Sequence, residues 1–413
     1  MLEFVLCRYE MPDIEGTNGL ALWLKMSADR HEVIVVGAGP AGSVAASVLA
    51  QAGRDVLLLD QTGFPRDKAC GDMIPWQVVR LMLDLSIGEA VRAAQFYPIK
   101  ATRIVSPSGT VFETRVYDHD GTDTCIVPRE VFDAILWEHA RKRGAQFEVV
   151  HVEAPIVEKG RVVGVSGRTG SKHGAWREIR AALVIAADGA TSAIARALRR
   201  HKPPDVHRAV ALRAYIDDFD VGDHMAESYF TRDLVPGYGW VFPIGEGCAN
   251  VGVGMRLDLF RQRGRTLKEM LDDFLRLPMI SRRRGAHSRV DKVLVWQLHF
   301  GSDDFPRTYD GALLVGDAGG FTDPLTGGGI YGAMVSGKLA AEAVLQALAE
   351  GETRREALAS FETGWRKQLW PAFRLSTWLQ RWLASSPRLV DFVVNLLVRH
   401  PRLGQAIAER VQG

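Results

Sequence analysis

The stretch EVIVVGAGPAGSVAASVLAQAGRDVLLLD, residues 32–60, constrains the fold more than any other part of this chain. Residues 33–36 are apolar and largely β-branched, which predicts a buried strand. Residues 41–51 are rich in alanine and predict a helix. Residues 56–59 predict a second buried strand. The three make a βαβ unit, whose crossover is right-handed. In its first turn Gly37, Gly39 and Gly42 satisfy G-x-G-x-x-G. Such glycines allow a tight turn, close approach of backbone to a pyrophosphate, and close helix–strand packing. The helix N-terminus adds unpaired N–H groups and a partial positive charge. Asp60, 18 residues past Gly42, is suited to accept from a ribose 2′-hydroxyl and would repel a 2′-phosphate. The motif alone also fits a plain glycine turn. The flanking strands and the acid point to a bound dinucleotide.

Residues 313–330, LLVGDAGGFTDPLTGGGI, bear on which dinucleotide. Asp317 at a strand end can accept from sugar-alcohol hydroxyls, and FAD carries a ribityl chain where NAD does not. The Gly327–Gly329 turn opens a helix whose N–H groups can face negative charge on a reduced isoalloxazine ring. The alternative is a glycine-rich helix entry without a ligand. Between these elements lies VIAADGATSAIARAL, where Asp188 ends a strand and Ser192 suits a helix N-cap. A capped turn and direct cofactor contact both fit there.

With 413 residues there is room for two or three domains. The predicted fold class is α/β. Residues 26–100, 120–205 and 305–348 are expected to form a discontinuous Rossmann-type FAD-binding domain. Residues 101–119 and 206–304 alternate like strands and are expected to form an antiparallel-sheet substrate domain, with a helical insertion at 267–277. Residues 76–95, 130–143 and 330–348 read as helices, and 349–413 as a C-terminal helical region. A formal net charge of +2 argues against a dedicated nucleic-acid binder. Cys7, Cys70, Cys125 and Cys248 lie far apart with no CxxC pair, which supports neither zinc nor a dithiol, and fits a reducing cytoplasm. Residues 1–25 carry Glu3, Glu10, Asp13 and Glu15 and do not read as a signal peptide. They read as a poorly ordered extension, with Met26 a sensible start. No run of 18 apolar residues is present to span a membrane.

FPRDKACGDM, residues 64–73, places Cys70 among Arg66, Lys68 and Asp72. Lys68, two residues before the thiol, is suited to lower its pKa; an inert buried thiol is the other reading. Arg66 can anchor a phosphate or form an ordinary ion pair. In PGYGWVFPIGEGCANVGVG, Tyr238, Trp240 and Phe242 point to one face of an extended segment. They would wall an apolar pocket or simply fill a sheet core. SRRRG, residues 281–285, can grip a diphosphate or form an exposed turn. Residues 365–413 are basic, with Trp370, Trp378 and Trp382 among leucines. They would cap the domains or lie against a membrane surface.

In this order and spacing the glycine turns resemble the FAD-dependent oxidoreductases of the p-hydroxybenzoate hydroxylase superfamily. KACGDM, VPREVFD, GYGWVFP with NVGVG, and DPLTGGGIYGAM resemble the geranylgeranyl reductase family in particular. The resemblance implies that Gly37, Gly39, Ala41, Gly42 and Asp60 serve the adenosine and phosphate half of FAD. It implies that Cys70 and Gly71 line the flavin and that Arg129 contacts the pyrophosphate and ribityl chain. Asp317, Gly329 and Ile330 would bind the ribityl and ring end. Tyr238, Trp240 and Phe242 would line an isoprenoid tunnel, and Cys70 would guide proton delivery. Two departures stand out: Asp72 and Met73 interrupt a glycine-rich run, and Ile244 replaces a basic residue.

The implied activity is reduction of carbon–carbon double bonds in an apolar, isoprenoid substrate. An external donor, NAD(P)H or ferredoxin, would supply electrons. The implied location is cytoplasmic, with peripheral membrane contact through the C-terminal region. A flavin monooxygenase acting on an aromatic or polyketide-like molecule is the rival. A halogenase is a lesser one, because GWVFP has one tryptophan where W-x-W-x-I-P is expected. A non-catalytic flavoprotein partner is the third alternative.

Overall fold

The structure is a computed structural model that describes residues 29–88, 96–116, 123–199, 202–382 and 385–400. The extension at 1–25 lies outside these residues, as do 89–95 of the expected helix and 401–413 of the tail. Five strands run parallel in one sheet, in the order Gln146–Glu158, Val56–Asp60, Arg30–Val36, Trp176–Ala186, Ala312–Leu314. Thr308–Tyr309 adds an antiparallel edge. Val33, Ile34 and Val35 are fully buried, as a parallel sheet covered on both faces requires. Strands Gln146–Glu158 and Trp176–Ala186 run on past the parallel region and are bridged by Arg161–Thr169, antiparallel to both. The phosphate-turn helix, Pro40–Gln51, lies against the long helix Ile330–Glu350.

The second sheet also has seven strands: Val290–His299, Arg208–Ile216, Cys248–Arg256, Tyr238–Gly245, Met225–Tyr229, Ala101–Val105, Val111–Arg115. It is antiparallel except that Met225–Tyr229 runs parallel to Ala101–Val105. Helix Leu267–Arg276 begins with a capping box between Thr266 and Glu269 and buries Met270, Leu271 and Phe274 on this sheet. A third sheet of two-residue strands, Met73–Ile74, Cys125–Ile126 and Tyr97–Pro98, lies beyond the sequence reading.

Two expected helices differ in extent. The first is Trp76–Asp84, closing at Ser86, whose φ of 60° is left-handed and ends the helical run. The tail forms separate helices, Ala359–Gln368, Trp370–Trp382 and Pro387–Arg399.

Candidate active site

Gly37, at φ +97°, leaves no room for a side chain: a Cβ there would lie 2.3 Å from the Ala187 carbonyl oxygen. A Cβ on Gly42 would lie 1.8 Å from the Gly37 carbonyl oxygen. These two glycines therefore serve packing. Gly39 differs, because a Cβ there would meet only the Arg66 guanidinium, at 3.7 Å. Its open side faces a cavity shared with Pro40 and Ala41. Helix Pro40–Gln51 starts on a proline and has no side-chain cap, so its first N–H groups remain available.

The same cavity reaches Asp317, Gly327, Gly329 and Ile330. The two glycine turns are drawn together where the helices cross: a Cβ on Gly337 would fall 2.2 Å from the Ala41 carbonyl oxygen. Asp317 accepts from the Thr322 hydroxyl at 2.9 Å and lies 3.6 Å from the Lys68 ammonium. Burial pushes the Lys68 pKa down, with Asp317 opposing the shift. Lys68 also stands 5.0 Å above the Trp296 ring.

Cys70 and Gly71 line the middle of the cavity beside Arg129. The cation that meets the thiol is Arg129, not Lys68. Burial pushes the Cys70 pKa up, and Arg129 only partly offsets it. The expected lowering is thus reversed, and the group is a thiol at neutral pH. Arg129 opens the helix Arg129–Lys142 and donates twice to Asp133, both at 2.7 Å. Burial alone would lower the Arg129 pKa, but Asp133 more than restores it.

Gly37, Gly42 and Asp60 do not line the cavity. Asp60 accepts from the Ala38 N–H at 2.9 Å and the Thr62 N–H at 3.2 Å, and Arg66 approaches at 3.4 Å. Arg66 also donates to Asp133 at 3.1 Å. The residue open to two readings is therefore part of a partly buried chain, Asp60–Arg66–Asp133–Arg129, running from the first turn toward Cys70. Asp188 and Ser192 both act as caps, accepting from the Ala193 and Ala195 N–H groups at 2.9 and 2.8 Å.

Beside the Cys70 loop, Tyr238, Trp240 and Phe242 form a continuous aromatic wall, with successive ring centroids 6.0 and 6.3 Å apart. Asn250 ties this wall to the cysteine loop. It accepts from the Trp240 indole at 2.8 Å and donates to the Cys70 carbonyl at 2.7 Å. A Cβ on Gly71 would press on the Phe242 ring at 3.0 Å, so the loop and wall are in contact. Asn250 was legible only as part of NVGVG, and its role as a tie was not. Gln380, on helix Trp370–Trp382, closes one side of the cavity and donates to the Pro324 carbonyl. SRRRG lies elsewhere: Arg283 pairs with Glu227 at 2.7 Å and donates to the Asp220 carbonyl at 2.6 Å.

Residues 30–375 match the model of the FAD binding domain. A digeranylgeranylglycerophospholipid reductase from Methanopyrus kandleri is 35% identical over 83% of this chain and 88% of its own length. The chain belongs to the geranylgeranyl reductase family of FAD-dependent oxidoreductases. A geranylgeranyl bacteriochlorophyll reductase-like protein from Thermoplasma acidophilum superposes with a TM-score of 0.79 at 27% identity, covering 89% of this chain and 91% of the other. A myxobacterial chondrochloren halogenase superposes with a TM-score of 0.74 at 20% identity, covering 91% and 90%, and shares the fold. The site fits the cofactor of this family. Gly39 leaves open space at a helix N-terminus, a second turn offers N–H groups at Gly329, and Asp317 presents an acceptor between them.

Proposed function

We propose that this family member reduces carbon–carbon double bonds of an isoprenoid lipid of the geranylgeranyl type. The observation that supports this reading best is the aromatic wall of Tyr238, Trp240 and Phe242, which with Cys70 lines a cavity that reaches both glycine turns. Bound FAD supplies the hydride. The chain's own part is to lay the alkene along the aromatic wall, exclude water, and hold a proton at the Cys70 sulfur. A thiol kept protonated by burial suits a proton donor better than a nucleophile. In this reading Ala41, Gly39 and Arg129 hold the phosphates, Asp317 the ribityl chain, and Gly329 and Ile330 the ring end. Asp60 serves the ribose with whatever accepting capacity Ala38 and Arg66 leave. The first sheet carries the cofactor and the second the substrate.

Anaerobic photoreduction of the purified protein, followed by geranylgeranyl lipid, tests the reading. Reoxidation of the flavin by lipid without oxygen is expected. Indifference to lipid, with a hydroperoxide spectrum on aeration, would establish a monooxygenase instead. In the same assay Cys70→Ser is expected to keep the cofactor and slow lipid-driven reoxidation by about 10²-fold, the typical contribution of general acid catalysis. Unchanged kinetics would remove Cys70 from proton transfer.

An external reductant, NAD(P)H or ferredoxin, belongs to the same reading, as does contact with a lipid surface. Leu375, Trp378 and Trp382 recur at helical spacing and are exposed, Trp382 at 65%. Arg374 and Arg381 flank them, and Gln380 of the same helix meets the cavity. Among the described residues no helix is long and apolar enough to cross a membrane. Vesicles of anionic lipid are expected to sediment the protein, and Trp378→Ser with Trp382→Ser to weaken that binding at least about tenfold. Equal sedimentation of both forms would exclude this helix as the contact.

A further inference from the structure

Asp72 carries two local penalties at one residue. Its φ of 61° is in the left-handed region, which glycine adopts more readily. Its side chain is fully buried, yet Oδ1 has no hydrogen-bond partner among the described residues. Both features occur in the loop that presents Cys70. The other oxygen, Oδ2, accepts from the Tyr215 hydroxyl and from the Asn250 carboxamide, each at 2.7 Å. Asn250 in turn holds the Cys70 carbonyl and the Trp240 indole. One carboxylate therefore braces two parts of the cavity's lining, the Cys70 loop and the Trp240 wall, without lining it itself.

We propose that Asp72 is a positioning residue, which through Asn250 sets the Cys70 main chain and the Trp240 wall as one unit whose setting depends on the carboxyl's charge. This rests on the reductase reading for its consequence in turnover, though not for the coupling itself. Ionised, the carboxylate accepts strongly from Tyr215 and Asn250 together. Protonated, it becomes a weaker acceptor and a donor, and Asn250 is released to tilt with its two cargoes. The groups facing Asp72 are Tyr215 and Arg213 on strand Arg208–Ile216, Asn250 on Cys248–Arg256, Arg129 on its helix, and Cys70 in its own loop. Burial raises the Asp72 pKa to about 6, against the hydrogen bonds of Tyr215 and Asn250 and the charges of Arg213 and Arg129. The switch thus lies within a physiological range. Because the folded value is above the ordinary 3.8 of an unfolded aspartate, native stability falls as pH rises from there to about 6 and is level beyond it. Asp72→Asn removes that fall.

The test uses the full, FAD-loaded chain. Flavin absorbance titrated between about pH 5 and 8 is expected to show a midpoint near 6 that disappears in Asp72→Asn. Tyr215→Phe, which removes a donor that favours the ionised form, is expected to raise the midpoint by about half a unit or more. With geranylgeranyl lipid, Asp72→Asn is expected to lower kcat about tenfold with KM within about twofold. A midpoint retained in Asp72→Asn, or none in the wild type, overturns the proposal. So does an unshifted midpoint in Tyr215→Phe, which decides the matter if Asp72→Asn fails to hold FAD. A wild type that turns over no lipid sinks the substrate reading, and the absorbance titration then decides this proposal alone. If lipid is turned over, unchanged kcat in Asp72→Asn overturns it.

Discussion

Asp133→Ala is expected to lower the unfolding free energy of the flavin-loaded chain by about 3–5 kcal/mol, the usual consequence of orphaning a buried charge. Asp133 is fully buried and accepts from Arg129 twice at 2.7 Å and from Arg66 at 3.1 Å. Its loss leaves the buried Arg129 without its carboxylate and Arg66 with only Asp60. Asp133→Asn keeps the shape and one acceptor, so its loss is expected to be smaller. Urea unfolding of the three proteins measures the difference. A loss below about 1 kcal/mol in Asp133→Ala would place this site among ordinary surface pairs and would show that Arg129 finds other partners.

Gly42→Val is expected to abolish stoichiometric flavin binding. Even the first side-chain carbon would sit 1.8 Å from the Gly37 carbonyl oxygen, so the turn must open or the helix must move. Either change displaces the N–H groups that the turn presents, and at least about 3 kcal/mol of stability should go with it. Gly53→Ala is the control. Its φ of +76° is also left-handed, but a Cβ there meets nothing within 4 Å, so only a backbone penalty of about 1 kcal/mol applies. Flavin absorbance per chain after gel filtration reads both. Full occupancy in Gly42→Val would mean that the first glycine turn is not where the cofactor's phosphates are held.

The sequence marked the first βαβ unit closely because its signals are local: a buried strand, a proline and glycine turn, an alanine-rich helix. The helix starts at Pro40 rather than at 41, since proline suits a first helical turn. Strands of two residues, such as Met73–Ile74 and Cys125–Ile126, are too short to carry a period of two. The cation beside Cys70 was misplaced for a related reason. Lys68 is near in sequence but turns to Asp317 and Trp296, whereas Arg129 arrives from a helix much further along. Asn250 was hidden because a polar residue on a strand gives no sign of which distant loop it will bind.

The loop bearing Cys70 follows a strand of the first sheet, yet much of its support comes from the second. Arg213 grips Asp67 and the Lys68 carbonyl, Tyr215 holds Asp72, and Asn250 holds both Cys70 and Asp72. The two sheets are consequently not interchangeable modules. A chimera that exchanged residues 208–256 for another family member's segment would inherit a foreign set of fasteners, and the reacting loop would shift even with every cofactor residue untouched.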